Sequence, residues 1–128
     1  MESIDASSYT HIVFAFASIS GTGTLEPWDF EADVKGGLYQ QFVDIKNKYP
    51  GTKAMVAVGG WTHNEPGNER LYRFSKTAST QKNRKIFAQS SVAFLRKYGF
   101  DGYVYDVLLL LSPIPNLTCS FFCIAVLH

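Results

Sequence analysis

The sequence predicts an α/β fold in which parallel strands alternate with helices, and three observations carry that prediction. Residues 11–17, 53–58 and 103–108 are short apolar runs of strand-forming residues. Between them lie two stretches with apolar residues at helical spacing, residues 38–49 and 80–98. Glycines stand where turns are needed, after Pro50, after Val58 and after Tyr98. The order strand, helix, strand, helix, strand argues for parallel strands joined by right-handed crossovers. In such sheets a site is expected at the carboxyl ends of the strands.

Composition sets the outer bounds. At 128 residues, 46% hydrophobic and 15% aromatic, the chain has one domain's length and enough apolar material for a core. A formal net charge of +1 gives no general attraction to nucleic acid or membrane. The charge is nevertheless uneven: residues 70–97 hold eight bases and no acid, whereas residues 1–52 hold seven acids against Lys35, Lys46 and Lys48. The basic run has no aromatic platform or nucleic-acid motif with it, so it reads as a solvated helix face and no nucleic-acid partner is expected. Residues 1–9 are polar and acidic, without the basic and then apolar segments of a secretory leader.

Taken in order, His11-Ile12-Val13-Phe14-Ala15-Phe16-Ala17 is apolar on both faces, as expected of a strand covered by helices or lining a barrel. His11 reads as a packed, hydrogen-bonded histidine, and Phe16 divides evenly between core and site. Residues 20–37 read as a loop, with four glycines, Pro27 and Trp28. Leu38, Phe42, Ile45 and Tyr49 then mark an amphipathic helix closed by Pro50-Gly51. The strand 53–58 runs into Gly59-Gly60-Trp61, where the backbone can pass close to another group. Residues 62–79 are polar and turn-rich, with Leu71 and Phe74 as anchors. Thr80 is the expected N-cap of a helix ending at Tyr98, with Phe87, Phe94, Leu95 and Tyr98 inward, Lys82, Lys85 and Gln89 outward, and Gly99 as C-cap.

The chemistry-bearing stretch is Asp101-Gly102-Tyr103-Val104-Tyr105-Asp106-Val107-Leu108. In a strand, side chains two apart share a face, so Val104, Asp106 and Leu108 form one row. A carboxylate in such an apolar row is either paired or functional.

This stretch resembles the signature of family 18 glycoside hydrolases, the chitinase family, whose fourth barrel strand reads Asp-Gly-x-Asp-x-Asp-x-Glu. Asp101, Gly102 and Asp106 match; Val104 stands where the family has its second Asp, and Leu108 where it has the catalytic Glu. Tyr9-Thr10-His11-Ile12 leading to Phe14-Ala15-Phe16 resembles the second strand. Ala57-Val58-Gly59-Gly60-Trp61 resembles the third-strand motif, with Ala57 in the position of a Ser. The resemblance implies a partial (β/α)8 barrel comprising the units of strands two to four and therefore incomplete, since the whole barrel needs about 200 residues or more. It implies binding of chitin or N-acetylglucosamine oligomers, with no cofactor and no metal. Phe16, Gly59, Gly60, Trp61 and Tyr105 would contribute to the sugar site, and Asp101, Val104, Asp106 and Leu108 would occupy the catalytic positions.

The implied mechanism is substrate-assisted hydrolysis, outside the usual two-carboxylate scheme. The family's Glu protonates the leaving oxygen, the substrate's acetamido oxygen attacks the sugar carbon, and the Asp in the place of Asp106 orients that acetamide. A positioned general acid is worth about 10²- to 10⁴-fold, and Leu108 can neither give nor take a proton. The expectation is a chitinase-type fragment inactive as written; the alternative is a non-catalytic, lectin-like sugar binder. A complete family member would be extracellular.

The sequence divides into residues 1–106, the partial hydrolase domain, and an apolar tail, residues 107–128. Residues 107–127 carry no charge but include Pro113, Pro115 and Asn116, which makes a poor membrane helix. Cys119 and Cys123, four apart, match neither a redox pair nor a usual zinc pair, and Asn116-Leu117-Thr118 fits a glycosylation acceptor. The break falls inside the motif, at a Val, whose codons begin with GT as most introns do. The tail is therefore also readable as intron sequence translated in frame. An incomplete parallel sheet has two open edges, so self-association is expected.

Overall fold

The computed structural model describes residues 4–107 and 121–126. Five strands form one sheet in the order β2-β1-β3-β4-β5: β1 His11–Ile19, β2 Leu25–Pro27, β3 Lys53–Gly59, β4 Gly102–Val107 and β5 Phe121–Val126. β1, β3 and β4 are parallel and correspond to the three apolar runs of the sequence. The two outer strands are antiparallel additions, β2 on β1 and β5 on β4.

Helices cover one face. α1 (Leu38–Val43) and α2 (Ile45–Lys48) replace the single helix expected over 38–49. They part at Asp44, whose carboxylate accepts hydrogen bonds from the side-chain amides of Gln40 and Asn47 at 2.8 and 3.3 Å. α3 (Arg73–Ser79) and α4 (Gln81–Tyr98) form the second crossover. α4 has the limits and caps expected of it. The Thr80 hydroxyl accepts from Asn83 N–H at 3.1 Å. Gly99, at φ 79°, donates its N–H to Leu95 O at 2.8 Å. The expected loop 20–37 also holds β2 and a π-helical turn, Phe30–Lys35, where Asp29 caps Ala32 N–H at 3.0 Å.

The core lies between the sheet and these helices. Ala17, Ile19, Ala54, Val56 and Val58 meet Phe42, Phe87, Phe94, Leu95 and Phe100 there. Tyr39 stands at its centre, edge-on to Phe14, Tyr98 and Phe100 at centroid distances of 5.0, 5.1 and 5.1 Å. Such pairs are each worth about 0.5–1.5 kcal/mol beyond their buried area. Close to Tyr39 lies the buried Asp33, whose carboxyl is raised above its ordinary value by burial, against the opposing hydrogen bond from Asp29 N–H.

The other face of the sheet is only partly covered. In β1 the residues alternate exposed and half-buried as far as Phe16, and Val13 is 48% exposed. The run looked apolar on both faces because its second face is barrel lining, and that lining is open along β1. His11 is corrected by the same geometry: it begins the strand on the open side and is exposed, its Nδ1 3.0 Å from Thr10 Oγ1 rather than packed in the core.

Candidate functional site at the strand ends

The carboxyl ends of β1, β3 and β4 are built by backbone irregularity as much as by side chains. β1 and β3 run in register to Ala15↔Ala57, then the pairing jumps to Ala17↔Val58, leaving Phe16 as an extra residue next to a cis Ala15–Phe16 peptide. A bulge of this kind re-aims a side chain at a sheet rim. Here it sets the Phe16 ring over Gly60: a Cβ at Gly60 would lie 3.1 Å from Phe16 Cζ and 3.2 Å from Cε1 and Cε2. Gly59 and Gly60 both have positive φ, 110° and 87°, a backbone that disfavours any side chain. Trp61 follows with 56% of its surface exposed, its indole N–H donating to Glu65 Oε1 at 3.1 Å.

β4 lies beside this platform. Ala57 pairs with Val104 and Gly59 with Asp106, so the Asp106 backbone is set against a residue with no side chain. Val104 is buried at 7% exposure in a strip with Met55 and Ala57. The position that carries a carboxylate in the family motif is therefore apolar in an apolar setting. Leu108 lies outside the described residues.

Two expected site residues stand away from this platform. Asp101 stands at the opposite, amino-terminal end of β4, where its carboxylate accepts from Ala54 N–H at 2.8 Å and pairs with Lys46 Nζ at 3.1 Å. Lys46 also donates to Gly99 O at 2.7 Å, and Asp101 N–H donates to Ala54 O at 2.8 Å. The group joins β3, β4 and α2. Tyr105, an odd-numbered strand residue, faces the helices, its ring 5.7 Å from Phe87 and 6.1 Å from Phe74. It is half-buried and packs against the core.

One supporting feature was not anticipated. Two residues beyond Trp61, in a 3₁₀ turn, His63 is fully buried, 4.8 Å from the Phe74 ring and 6.4 Å from Trp28. The Arg70 guanidinium lies 4.9 Å from the Trp28 ring. The loop carrying Trp61 is thus anchored to α3 and to the chain before the π-helical turn. Among the described residues no three His, Cys, Asp or Glu side chains gather as a metal would need, and no helix is long and apolar enough to cross a membrane.

Parallel strands joined through helices, with irregular backbone gathered at their carboxyl ends, are the units from which a (β/α)8 barrel is built. The family model for glycosyl hydrolases family 18 matches residues 1–106, and the chain belongs to that family. It is 33% identical over 107 residues to an endochitinase of Manduca sexta, a match covering 83% of this chain and 18% of that protein. Among solved structures it is similar to the Group IV chitinase of Ostrinia furnacalis in complex with allosamidin, with TM-score 0.67 and 38% identity, covering 76% of this chain and 24% of the other. It is also similar to human YKL-39, described as a pseudo-chitinase with retained chitooligosaccharide binding, with TM-score 0.59 and 26% identity over 76% and 24% of the two chains. The chain spans about a fifth of the length of the curated relatives it matches. The described α/β sheet is accordingly part of a (β/α)8 barrel.

Proposed function

We propose that the chain is a portion of a chitinase-type glycoside hydrolase acting on β-1,4-linked N-acetylglucosamine polymers, and that as written it does not hydrolyse them. The observation that carries this reading is the convergence at the strand ends of Phe16, Gly60 and the exposed Trp61, with Asp106 in register beside Gly59. Trp61 offers a face on which a sugar ring can stack. Asp106 is the acetamide-orienting group of the implied mechanism. Inactivity follows from Leu108 in the place of the general acid, and from Val104 in the place of the carboxylate that would share a proton with Asp106. The complete protein is extracellular in this reading. The open lining and the outer strands of this piece favour self-association.

Residues 107–128 are a separate segment in this account, translated intron sequence rather than an evolved replacement of the motif. Two observations support it: the family match ends at Asp106, and β5 runs antiparallel to β4 where the next barrel strand would run parallel. Sequencing the mature transcript across codon 106 tests it. The expected dominant message continues with a frame beginning Trp-Glu; a dominant message encoding Val107 to His128 overturns it.

A second reading, a non-catalytic sugar binder, is favoured by the pseudo-chitinase neighbour with retained oligosaccharide binding. Saturable binding of chitopentaose by the 128-residue chain, abolished by Trp61→Ala, is its expected signature. Absence of binding by a folded chain removes it.

A further inference from the structure

Trp61 is held more firmly at its backbone than at its ring. On one side, Gly60 lies against the Phe16 ring and fixes the chain leading into Trp61. On the other, the 3₁₀ turn Thr62–Asn64 carries His63, fully buried, to 4.8 Å from the Phe74 ring. The indole itself is 56% exposed and meets no other aromatic ring among the described residues. Its two side-chain torsions are therefore left to the polar partner that its N–H finds.

That partner is Glu65, whose Oε1 accepts from the indole N–H at 3.1 Å. A surface carboxylate is ordinarily a loose partner, but local chain geometry restrains this one. Glu65-Pro66-Gly67-Asn68 closes on itself, with Asn68 N–H donating to Glu65 O at 3.0 Å and Gly67 at φ 89°. Proline second and a positive-φ glycine third are what a type II turn requires, so the Glu65 backbone is held at the turn's first position, φ −65° and ψ 137°. The turn is tied onward as well: Asn68 Oδ1 accepts from Arg70 N–H at 2.9 Å, and the Arg70 guanidinium lies 4.9 Å from the Trp28 ring. Among the described residues no cation draws the Glu65 carboxylate away, whereas Glu69, four residues on, pairs with Arg73 at 3.1 Å.

We propose that Glu65 is a positioning residue for the strand-end platform, its carboxylate holding the Trp61 indole in one orientation so that a sugar ring stacks on a face already ordered. The inference rests on the reading of Trp61 as a sugar-stacking residue. Ordering an exposed side chain on binding costs affinity, and a ring ordered beforehand avoids that cost. A chemical consequence follows: indole has a single donor, and with that donor given to Glu65, Trp61 offers a sugar its face alone.

The test uses the 128-residue chain, at concentrations where it sediments as a monomer, and two readouts. Nitrogen-15 relaxation of the Trp61 indole N–H, assigned by its loss in Trp61→Phe, reads the ring with no sugar present. An order parameter of about 0.85 is expected for the parent and below about 0.6 for Glu65→Ala; Glu65→Gln, whose amide oxygen still accepts, should match the parent. Calorimetric titration with chitopentaose reads the consequence: Glu65→Ala should weaken binding about two- to tenfold, with Glu65→Gln restoring it. Glu69→Gln removes a charge from the same loop without touching the indole and should bind as the parent does. A merely structural role would lower the urea midpoint of Glu65→Ala and leave the ring's order as it was. An indole equally ordered in the parent and in Glu65→Ala overturns the proposal whatever the sugar result. Equal affinity of those two proteins, with the ring loosened, overturns the platform role alone. A parent chain that orders its indole through Glu65 and binds no chitopentaose overturns the sugar reading beneath it.

Discussion

Replacing Asp101 tests whether it is a structural tie rather than a catalytic group. Its carboxylate satisfies the N–H of Ala54, a fully buried residue, at 2.8 Å, and pairs with Lys46 at 3.1 Å. Asp101→Ala leaves the Ala54 N–H buried without a partner, which costs about 1–3 kcal/mol, and breaks an ion pair between side chains 25% and 22% exposed, worth about 1 kcal/mol or less after solvent screening. The expected total is about 1–4 kcal/mol. Asp101→Asn keeps an oxygen that can accept from Ala54 and gives up only the charge, so it should cost about 1 kcal/mol or less. Urea unfolding followed by far-UV circular dichroism at neutral pH, at concentrations where the chain sediments as a monomer, reads both. Combining Asp101→Asn with Lys46→Met should give less than the sum of the single effects, because either change alone removes the pair. Equal losses for Asn and Ala, or a loss below about 0.5 kcal/mol for Ala, would refute the reasoning.

Other expectations concern titration, capping and catalysis. Burial raises the Asp33 carboxyl in the folded chain, so its contribution to stability is complete below the unfolded value and is lost as pH rises through the folded value. Asp33→Asn should therefore stabilise the chain at neutral pH and lose that advantage as pH falls toward 3.8; thermal melts across that range read the sign, and a destabilised variant at pH 7 contradicts it. Thr80→Ala removes the cap on Asn83 N–H and should cost about 1 kcal/mol, visible in the same urea assay. Val104→Asp with Leu108→Glu should give no detectable hydrolysis of a chitin oligomer, since groups placed without an enclosed, oriented substrate lose the proximity that catalysis requires; a fluorogenic oligomer assay showing turnover would contradict this.

The parallel strands and α4 were legible because their signals are local. α4 has a period, a threonine before it and a glycine after it, and nothing in the tertiary structure competes with those. The bulge at Phe16 was not legible, because residues 11–17 are apolar on both faces and hold no alternation whose break would mark it; only pairing with β3 reveals the extra residue. Asp101 shows the limit of a motif match: the pattern placed it in the signature, but its role depends on Ala54 and Lys46, both distant in sequence. Tyr105 could have been assigned to the helix side by parity alone, since Val104 and Asp106 share the other row. The Trp28, His63 and Phe74 contacts join segments that read separately as loop, and no periodicity announces them.

The central claim, that residues 1–106 form one wall of a chitin-hydrolysing site whose acid is missing from the chain as written, is tested most directly by hydrolysis of chitopentaose. The protein to measure is a whole barrel that contains residues 1–106 and carries, after Asp106, the frame beginning Trp-Glu in place of residues 107–128. The account predicts turnover that disappears when that restored Glu is replaced by Gln while binding persists. A folded, completed protein that does not hydrolyse the oligomer would contradict it.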